Sequence, residues 1–210
     1  MRRLEYALGL SGAVLLIFAG VAYADAMIGS NRALETFANA QQALLETDVP
    51  NQTDWSNSRR AGYTKSLKAD LGMPNAVLRI PELDVEVAVF EGTGKVELNR
   101  GVGIVDGTAL PGEQGNIAIA GHRDGFFRPL ENIPAGTKIE LVTLTGTQMF
   151  SVADVKVVDP FELSVLDQTH DTVLTLITCY PFKYVGYAPD RYIVRAHLTG
   201  DNDSDNIVKH

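Results

Sequence analysis

The pattern of apolar and polar positions divides the chain into an apolar N-terminal run, a helical stretch and a long region of short strands. Helical spacing of apolar residues predicts a first helix over residues 30–46. A second short helix is predicted over residues 59–71, where a Gly-Met-Pro turn ends it. Trp55, between the two helices, is predicted to pack on the main domain. Residues 26–72 are therefore expected to form a helical stalk and cover.

From Ala76 onward the periodicity changes to the alternation that is typical of strands. Turns rich in glycine, proline, aspartate and asparagine separate the apolar segments. We therefore predict a mainly β fold, a barrel or sandwich of about seven or eight short strands. It spans residues 73–199, and residues 200–210 form a polar tail. The segments expected to be strands are 77–80, 85–90, 116–120, 138–144, 147–158, 172–178 and 191–198.

An uncharged run of 19 residues, 6–24, follows Arg2 and Arg3. Its length is close to the ~20 residues that a transmembrane helix needs, and the two arginines are expected to stay on the cytoplasmic side. The sequence Ala22-Tyr23-Ala24 also fits a cleavage site, so a removable signal peptide is an alternative. Because the run is longer than a usual signal-peptide core, residues 1–25 are predicted to be a retained anchor. Either alternative exports the rest of the chain.

Composition and charge exclude several classes of function. The chain has 210 residues, of which 45% are hydrophobic, and this is enough for one packed domain without disulfides. Its formal net charge is −8, and it has no basic stripe that could neutralise phosphates, which argues against nucleic-acid binding. It has no paired cysteines, no His-x-x-x-His, no EF-hand spacing and no phosphate-binding glycine loop. We therefore predict neither a metal nor another cofactor.

The single cysteine, Cys179, ends an apolar β-like run at residues 173–179. An exported chain with one cysteine cannot form an internal disulfide, so an intermolecular bridge, a reactive thiol and a small buried core residue are the alternatives. A strand end followed by a loop favours an accessible thiol. Because a thiol attacks a carbonyl only as the thiolate, a reactive cysteine needs a neighbouring base or cation.

A candidate base and two candidate cations stand at comparable positions. His122 ends an apolar run at residues 116–122, and Asp124 is near enough to influence its ring orientation. Arg191 follows the cysteine by 12 positions, and Arg195 shares its strand face by parity. Either arginine could donate to a developing oxyanion. Spacing alone hardly separates them, and we favour Arg191 because it leads out of the loop nearest the cysteine.

These segments together resemble the signatures of the sortases, the cysteine transpeptidases of bacterial cell surfaces. Residues 175–179, Thr-Leu-Ile-Thr-Cys, match the sortase TLxTC signature, and residues 118–123 resemble the segment that carries the sortase histidine. Arg191 falls where the sortase arginine follows. The resemblance spans roughly residues 75–199, and it is greatest to class D-like sortases and their proteobacterial relatives.

The resemblance implies an eight-stranded sortase barrel that needs no cofactor. It implies that Cys179 is the nucleophile, that His122 is general acid and then base, and that Arg191 holds the substrate and stabilises the oxyanion. The implied substrate is a protein with a C-terminal LPxTG-like sorting signal, cut after its threonine through a thioester acyl-enzyme and passed to an amine acceptor. The implied substrate-binding residues are Thr178 and, in the loop before the cysteine strand, Leu163, Val165 and Leu166.

The implied location is the bacterial plasma (inner) membrane, with a single pass and an extracytoplasmic catalytic domain, which is periplasmic in a Gram-negative cell. One alternative is an L,D-transpeptidase-like enzyme of peptidoglycan. It is disfavoured because that family has an S-x-G-C-x-R-like context, whereas Thr178 precedes the cysteine here and Tyr180-Pro181 follow it. Another alternative is a tethered β-barrel module that binds a partner without chemistry, and its thiol would have ordinary reactivity.

Overall fold

The computed structural model describes residues 15–21, 23, 29, 31–42, 50–183 and 186–201. Eight strands form its body: β1 Ala76–Ile80, β2 Val85–Glu91, β3 Val102–Ile104, β4 Asn116–Ala120, β5 Lys138–Thr143, β6 Gly146–Val158, β7 Val173–Tyr180 and β8 Asp190–Asp201. They close into a barrel in the order β1-β2-β3-β4-β7-β8-β6-β5. The predicted mainly β fold with eight strands is confirmed.

Three elements differ from the prediction. β3 was not predicted, because three residues that are buried on both faces give no alternation. The helix that precedes it, α3 at Lys95–Arg100, was also not predicted. β7 continues to Tyr180 instead of ending at Thr178, so the cysteine lies within the strand and not after it.

Helices cover part of the barrel surface. Residues 31–42 are helical and form α1, whose Phe37 and Ala40 pack on Val77 and Val142. The rest of the helix predicted for 30–46 lies outside the described residues. α2 spans Asn57–Ser66, so it begins earlier and ends earlier than the 59–71 of the prediction. It begins earlier because the Ser56 side chain accepts from the Arg59 N–H and caps it.

The barrel core consists of the inward side chains at alternate positions along the strands. Ile117 and Ile119 of β4, Leu174 and Leu176 of β7 and Val194 of β8 are fully buried in this core. Since successive strand residues point to opposite faces, odd positions 175–179 of β7 and 191–195 of β8 point outward, as do the even positions of β4. The predicted cysteine and arginines therefore share the outer face of two neighbouring strands, β7 and β8.

Within the described residues, no helix combines the length and the apolar character that crossing a bilayer requires. Most of the predicted anchor at residues 1–25 lies outside the described part of the chain, in which 15–21 and 23 are helical. Residues 202–210 of the predicted tail also lie outside it, and the two residues before them belong to β8.

Candidate active site

The register of three adjacent strands brings Cys179, His122 and Arg191 to one edge of the barrel. β7 lies between β4 and β8. Cys179 pairs directly with Arg191 across the antiparallel β7–β8 ladder. In the parallel β4–β7 ladder Ala120, the last residue of β4, pairs with Ile177, and the same register continued for two positions would bring the next outward residue to the level of Cys179. That residue is His122.

Two hydrogen bonds join Gly121, the residue after β4, to β7. The Gly121 N–H donates to the Ile177 carbonyl at 3.0 Å. The Thr178 hydroxyl donates to the Gly121 carbonyl at 2.7 Å. Thr178 is only 2% exposed, so its hydroxyl is used inside the barrel to hold the histidine segment against β7. Among the predicted substrate-binding residues, Thr178 therefore has a positioning contact that the sequence did not indicate.

Gly121 also permits the turn that presents His122. A Cβ at this position would lie 2.5 Å from the ring of Phe127, closer than two carbons can approach. Phe127 itself is fully buried, and its N–H donates to the His122 carbonyl at 3.3 Å. The turn after β4 thus folds a buried aromatic ring back under the histidine backbone.

The two arginines of β8 have different surroundings. Arg191 lies opposite the cysteine, is half-buried, and donates to the carbonyls of Asp190 at 3.0 Å and Ala188 at 3.4 Å. None of the ion pairs found among the described residues involves its guanidinium. Arg195 pairs with Thr175, four residues back along β7 from Cys179. Only Arg191 is therefore placed beside the sulfur by the strand register.

Arg195 instead helps to hold the predicted substrate-binding turn. A 3₁₀ turn at Leu163–Leu166 lies over this face, and Arg195 Nη2 donates to the Val165 carbonyl at 3.3 Å. The side chain of Asn116, at the start of β4, donates to the same carbonyl at 2.9 Å. Thr175 Oγ1 donates to Asn116 Oδ1 at 2.7 Å. All three strands therefore contribute a side chain to fixing this turn.

The residues of that turn differ in accessibility. Leu163 is 66% exposed and Leu166 is half-buried, whereas Val165 is only 5% exposed. Leu163 and Leu166 are thus accessible to a ligand on the outer face, while Val165 acts mainly as a packing residue. Sequence reasoning missed Asn116, which is fully buried. The signal that could have found it is a polar amide that begins an otherwise apolar strand.

The electrostatic environment keeps His122 neutral near pH 7. Its pKa is lowered from 6.5 to about 4, first by burial and then by the Arg59 guanidinium, whereas the Asp124 carboxylate raises it. Asp124 was predicted to influence the ring, yet its own hydrogen bonds go elsewhere. It accepts from Ser56 Oγ at 2.7 Å and from Arg59 Nε at 3.1 Å. Sequence periodicity gave no signal for Ser56 and Arg59, because they lie more than sixty residues away.

The residue after His122 connects to the loop after the cysteine. Arg123 donates to the carbonyls of Pro181 and Gly186, each at 2.9 Å. Tyr180, Phe182 and Tyr192 form an aromatic cluster at the same edge, with Tyr180 and Tyr192 stacked at 6.1 Å. The β4 turn and the β7–β8 loop are therefore joined beside the candidate site.

In the part of the chain that the structure describes, no group of three or more His, Cys, Asp or Glu side chains is arranged to hold a metal ion. The arrangement itself offers a thiol, a neutral imidazole and an arginine on one open edge. A thiol attack that passes a proton through the imidazole, with an arginine to meet the negative charge, is the chemistry that such a set can perform.

Comparisons with known proteins agree with this arrangement. The family described as "Sortase domain" matches residues 78–199. Sortase D of Bacillus subtilis is 31% identical over 188 residues, which cover 86% of this chain and 94% of that protein. Among solved structures, the Clostridium perfringens sortase D5 transpeptidase has a TM-score of 0.57 at 28% identity and covers 82% of this chain and 99% of that one.

A third relative extends the similarity to another sortase type. Streptomyces coelicolor sortase E1, solved with a tripeptide in its active site, has a TM-score of 0.56 at 30% identity, covering 61% of this chain and 90% of that one. The family-level prediction is confirmed over the L,D-transpeptidase-like alternative. Through its matched domain, its barrel and its relatives, the chain belongs to the sortase family, whose members are transpeptidases.

Proposed function

We propose that this chain is a sortase-type transpeptidase in which Cys179 is the nucleophile, His122 moves the protons and Arg191 stabilises the developing oxyanion. The observation that carries the proposal is the register: Cys179 pairs with Arg191, and the β4–β7 ladder brings His122 to the same level. The sulfur and the guanidinium point to the outer face, where a peptide can reach them.

The first half-reaction forms a thioester. The thiol proton of Cys179 passes to the neutral His122 imidazole while the sulfur attacks the carbonyl carbon of the substrate threonine. The oxygen becomes negative and is met by the Arg191 guanidinium. The carbon–nitrogen bond then breaks, and the imidazolium returns its proton to the leaving amine. A histidine whose pKa is lowered to about 4 is a strong acid once protonated, which suits this second step.

The second half-reaction reverses the same steps. An acceptor amine attacks the thioester carbonyl and gives its proton to His122. The carbon–sulfur bond breaks, and the proton returns to the Cys179 sulfur. The thiol is restored, so the cycle consumes no cofactor.

The substrate in this proposal is a protein with a C-terminal LPxTG-like sorting signal, cleaved after threonine. Leu163 and Leu166 are the accessible apolar side chains of the turn next to the site, and we assign them to the apolar part of the signal. Val165 and Thr178 are buried, so we assign them to packing and positioning and not to direct contact with the signal. We assign the chain to a class D-like type because two of the relatives named above bear that letter. The proteobacterial relationship stays a prediction from the sequence.

The proposed location is the bacterial plasma (inner) membrane, with the barrel outside the cytoplasm. Its support is the uncharged run at residues 6–24 after two arginines. An anchor at that position would keep the enzyme close to substrates that are held at the same membrane, which raises their effective concentration.

The test uses the full chain in detergent micelles with a panel of LPxTx peptides and triglycine as the amine. The expected products are a peptide cut after threonine and a second one in which triglycine replaces the leaving group, both identified by mass spectrometry. Cys179→Ala should give neither product. Absence of both products with every peptide, from a folded wild-type protein, would favour a binding module without chemistry.

A further inference from the structure

The helix α2 contacts the loop that carries His122 through two charged groups. Both carboxylate oxygens of Asp124 are used by one turn of this helix. Oδ2 accepts from Ser56 Oγ at 2.7 Å, and Oδ1 accepts from Arg59 Nε at 3.1 Å. The Arg59 side chain is 17% exposed and that of Asp124 is 35% exposed, so water screens this pair less than a surface ion pair.

The guanidinium of Arg59 is fixed from a second direction. Its Nη1 donates to Asn99 Oδ1 of α3 at 2.6 Å, and Asn99 is only 8% exposed. Two glycines allow this close packing. A Cβ on Gly62 would lie 2.9 Å from Asn99 Oδ1, and a Cβ on Gly125 would lie 3.3 Å from Cδ of Arg59. The cation therefore has one position, between α3 and the histidine loop.

An aromatic contact lies next to the Arg59–Asp124 ion pair and also holds α2 to the histidine loop. The ring of Trp55 packs edge-on against Phe126 with centroids 4.8 Å apart, and Tyr63 lies 5.8 Å from Trp55. Trp55 is 6% exposed, which agrees with its predicted role as a packing anchor. The histidine loop is thus held to α2 by an aromatic contact at one residue and by an ion pair at another.

Such contacts could serve stability alone, but the charges around the ring argue for more. The charged groups that act on His122 are Asp124 on its own loop and Arg59 from α2. Arg123 donates to the carbonyls of Pro181 and Gly186, and Cys179 and Arg191 lie opposite each other on β7 and β8 at the same edge. Arg59 lowers the pKa of His122 and Asp124 raises it, so the two act in opposite directions on one ring. The pKa of Asp124 is itself lowered, since the Ser56 and Arg59 contacts outweigh its burial.

We propose that α2 is a working part of the active site, in which Arg59 and Asp124 are positioning residues that fix the histidine loop and set the net charge that the imidazole meets. This rests on the proposed proton-transfer role of His122. Arg59 offsets the carboxylate, so the imidazolium that forms during the reaction is a stronger acid toward the leaving amine. The N-terminal cover is then required for proton transfer, and not only for packing.

The test measures the titration of the His122 ring by NMR in the full chain in detergent micelles, with the signal assigned by its loss in His122→Gln. Arg59→Gln removes the cation and should raise the pKa of His122 by about one pH unit. Adding Asp124→Asn to that variant removes the carboxylate and should lower it again. Arg60→Gln, the matched change at the adjacent exposed arginine, should leave it unchanged.

The double variant shows whether a raised pKa of His122 comes from the lost Arg59 charge or from greater exposure of the ring. If α2 served packing alone, its loosening would expose the ring and raise the pKa of His122 in the single and double variants alike. Trp55, the only tryptophan, reports that loosening through its emission. Equal pKa values in the two variants, or no change in Arg59→Gln, would overturn the proposal. Arg59→Lys keeps the cation and should keep the wild-type titration.

Turnover gives an independent readout. Arg59→Gln should lower kcat for peptide transfer and shift its pH profile, with KM within about two-fold of wild type because the residue does not touch the substrate. Arg59→Lys should recover most of the lost kcat. A folded wild-type protein without transfer activity would refute the proposed function. The titration needs no substrate, so it would still test whether Arg59 and Asp124 set the pKa of His122.

Discussion

The outer face of β4, β7 and β8 has two ends with opposite characters. At one end Asn116, Thr175 and Arg195 join across the three strands, and Asn116 and Thr175 are fully buried. At the other end Cys179, His122 and Arg191 are all half-buried. The same sheet register thus places a closed polar network beside an open set of reactive groups. The first end holds the turn at Leu163–Leu166, and we assign the chemistry to the second.

The largest effect is expected from the open end. Cys179→Ala should abolish both cleavage and transfer, because no other described side chain of that edge offers a nucleophile of comparable strength. The free energy of unfolding should change by less than about 1 kcal/mol, since only a half-buried sulfur is lost. Peptide assays and chemical denaturation measure the two quantities. Residual cleavage above background in this variant would show that another group attacks the substrate.

The two arginines of β8 provide the sharpest contrast between the two ends. Arg191→Ala should lower kcat/KM by roughly 10²–10³-fold, which is the usual loss when one oxyanion donor is removed. Arg195→Ala should cost less activity and more stability, because its guanidinium donates to the Val165 carbonyl. Steady-state kinetics and thermal unfolding of both variants test this. A greater loss of kcat/KM in Arg195→Ala would mean that the wrong cation has been assigned.

At the closed end, Asn116→Ala should destabilise the protein by roughly 2–3 kcal/mol. The substitution leaves the buried Thr175 hydroxyl without its acceptor and removes the amide donor from the Asp167 carbonyl and from the Val165 carbonyl, which keeps only its bond from Arg195. Urea denaturation gives the free energy of unfolding. Thr199→Ala, an exposed hydroxyl that also bonds a carbonyl, is the control and should change it little. Stability equal to wild type in Asn116→Ala would remove the argument that this network holds the turn.

The last prediction concerns the dependence of stability on pH. Between pH 6.5 and about 4 the unfolded chain protonates His122 while the folded chain does not, so the free energy of unfolding falls as the pH is lowered through this window. His122→Gln should flatten the fall in that range. The loss from Asp124, whose lowered pKa places it at more acidic pH, should remain. Denaturation at several pH values measures the slope, with His197→Gln as the matched control.

The parts of the site that lie at strand ends could be predicted from the sequence, and those that depend on distant contacts could not. Cys179 and His122 each close an apolar run, and such runs are visible because a strand buried on both faces leaves a continuous apolar signature. Arg191 was favoured over Arg195 on proximity to a loop, and the register places it opposite the sulfur.

The parts of the site that could not be predicted are contacts between residues far apart in the sequence, which periodicity cannot show. Asn116 meets Val165 49 residues later, and Arg59 meets Asp124 65 residues later. Neither partner has a local signature, because a polar residue on a helix or at a strand start is usually solvated. The strand β3 was not predicted, because three buried residues are too few to show a period.

The most direct test of the central claim is intact-protein mass spectrometry of the full chain. The chain is mixed with an intact sorting peptide that it is known to cleave, and the reaction is quenched in acid within seconds. The chain has one cysteine, so a thioester has a single possible position. We expect an added mass equal to that of the free peptide acid up to its threonine less one water, mapped to Cys179 and removed by hydroxylamine or by an added amine. Cleavage that proceeds with no such adduct, or with an adduct on another residue, would contradict it.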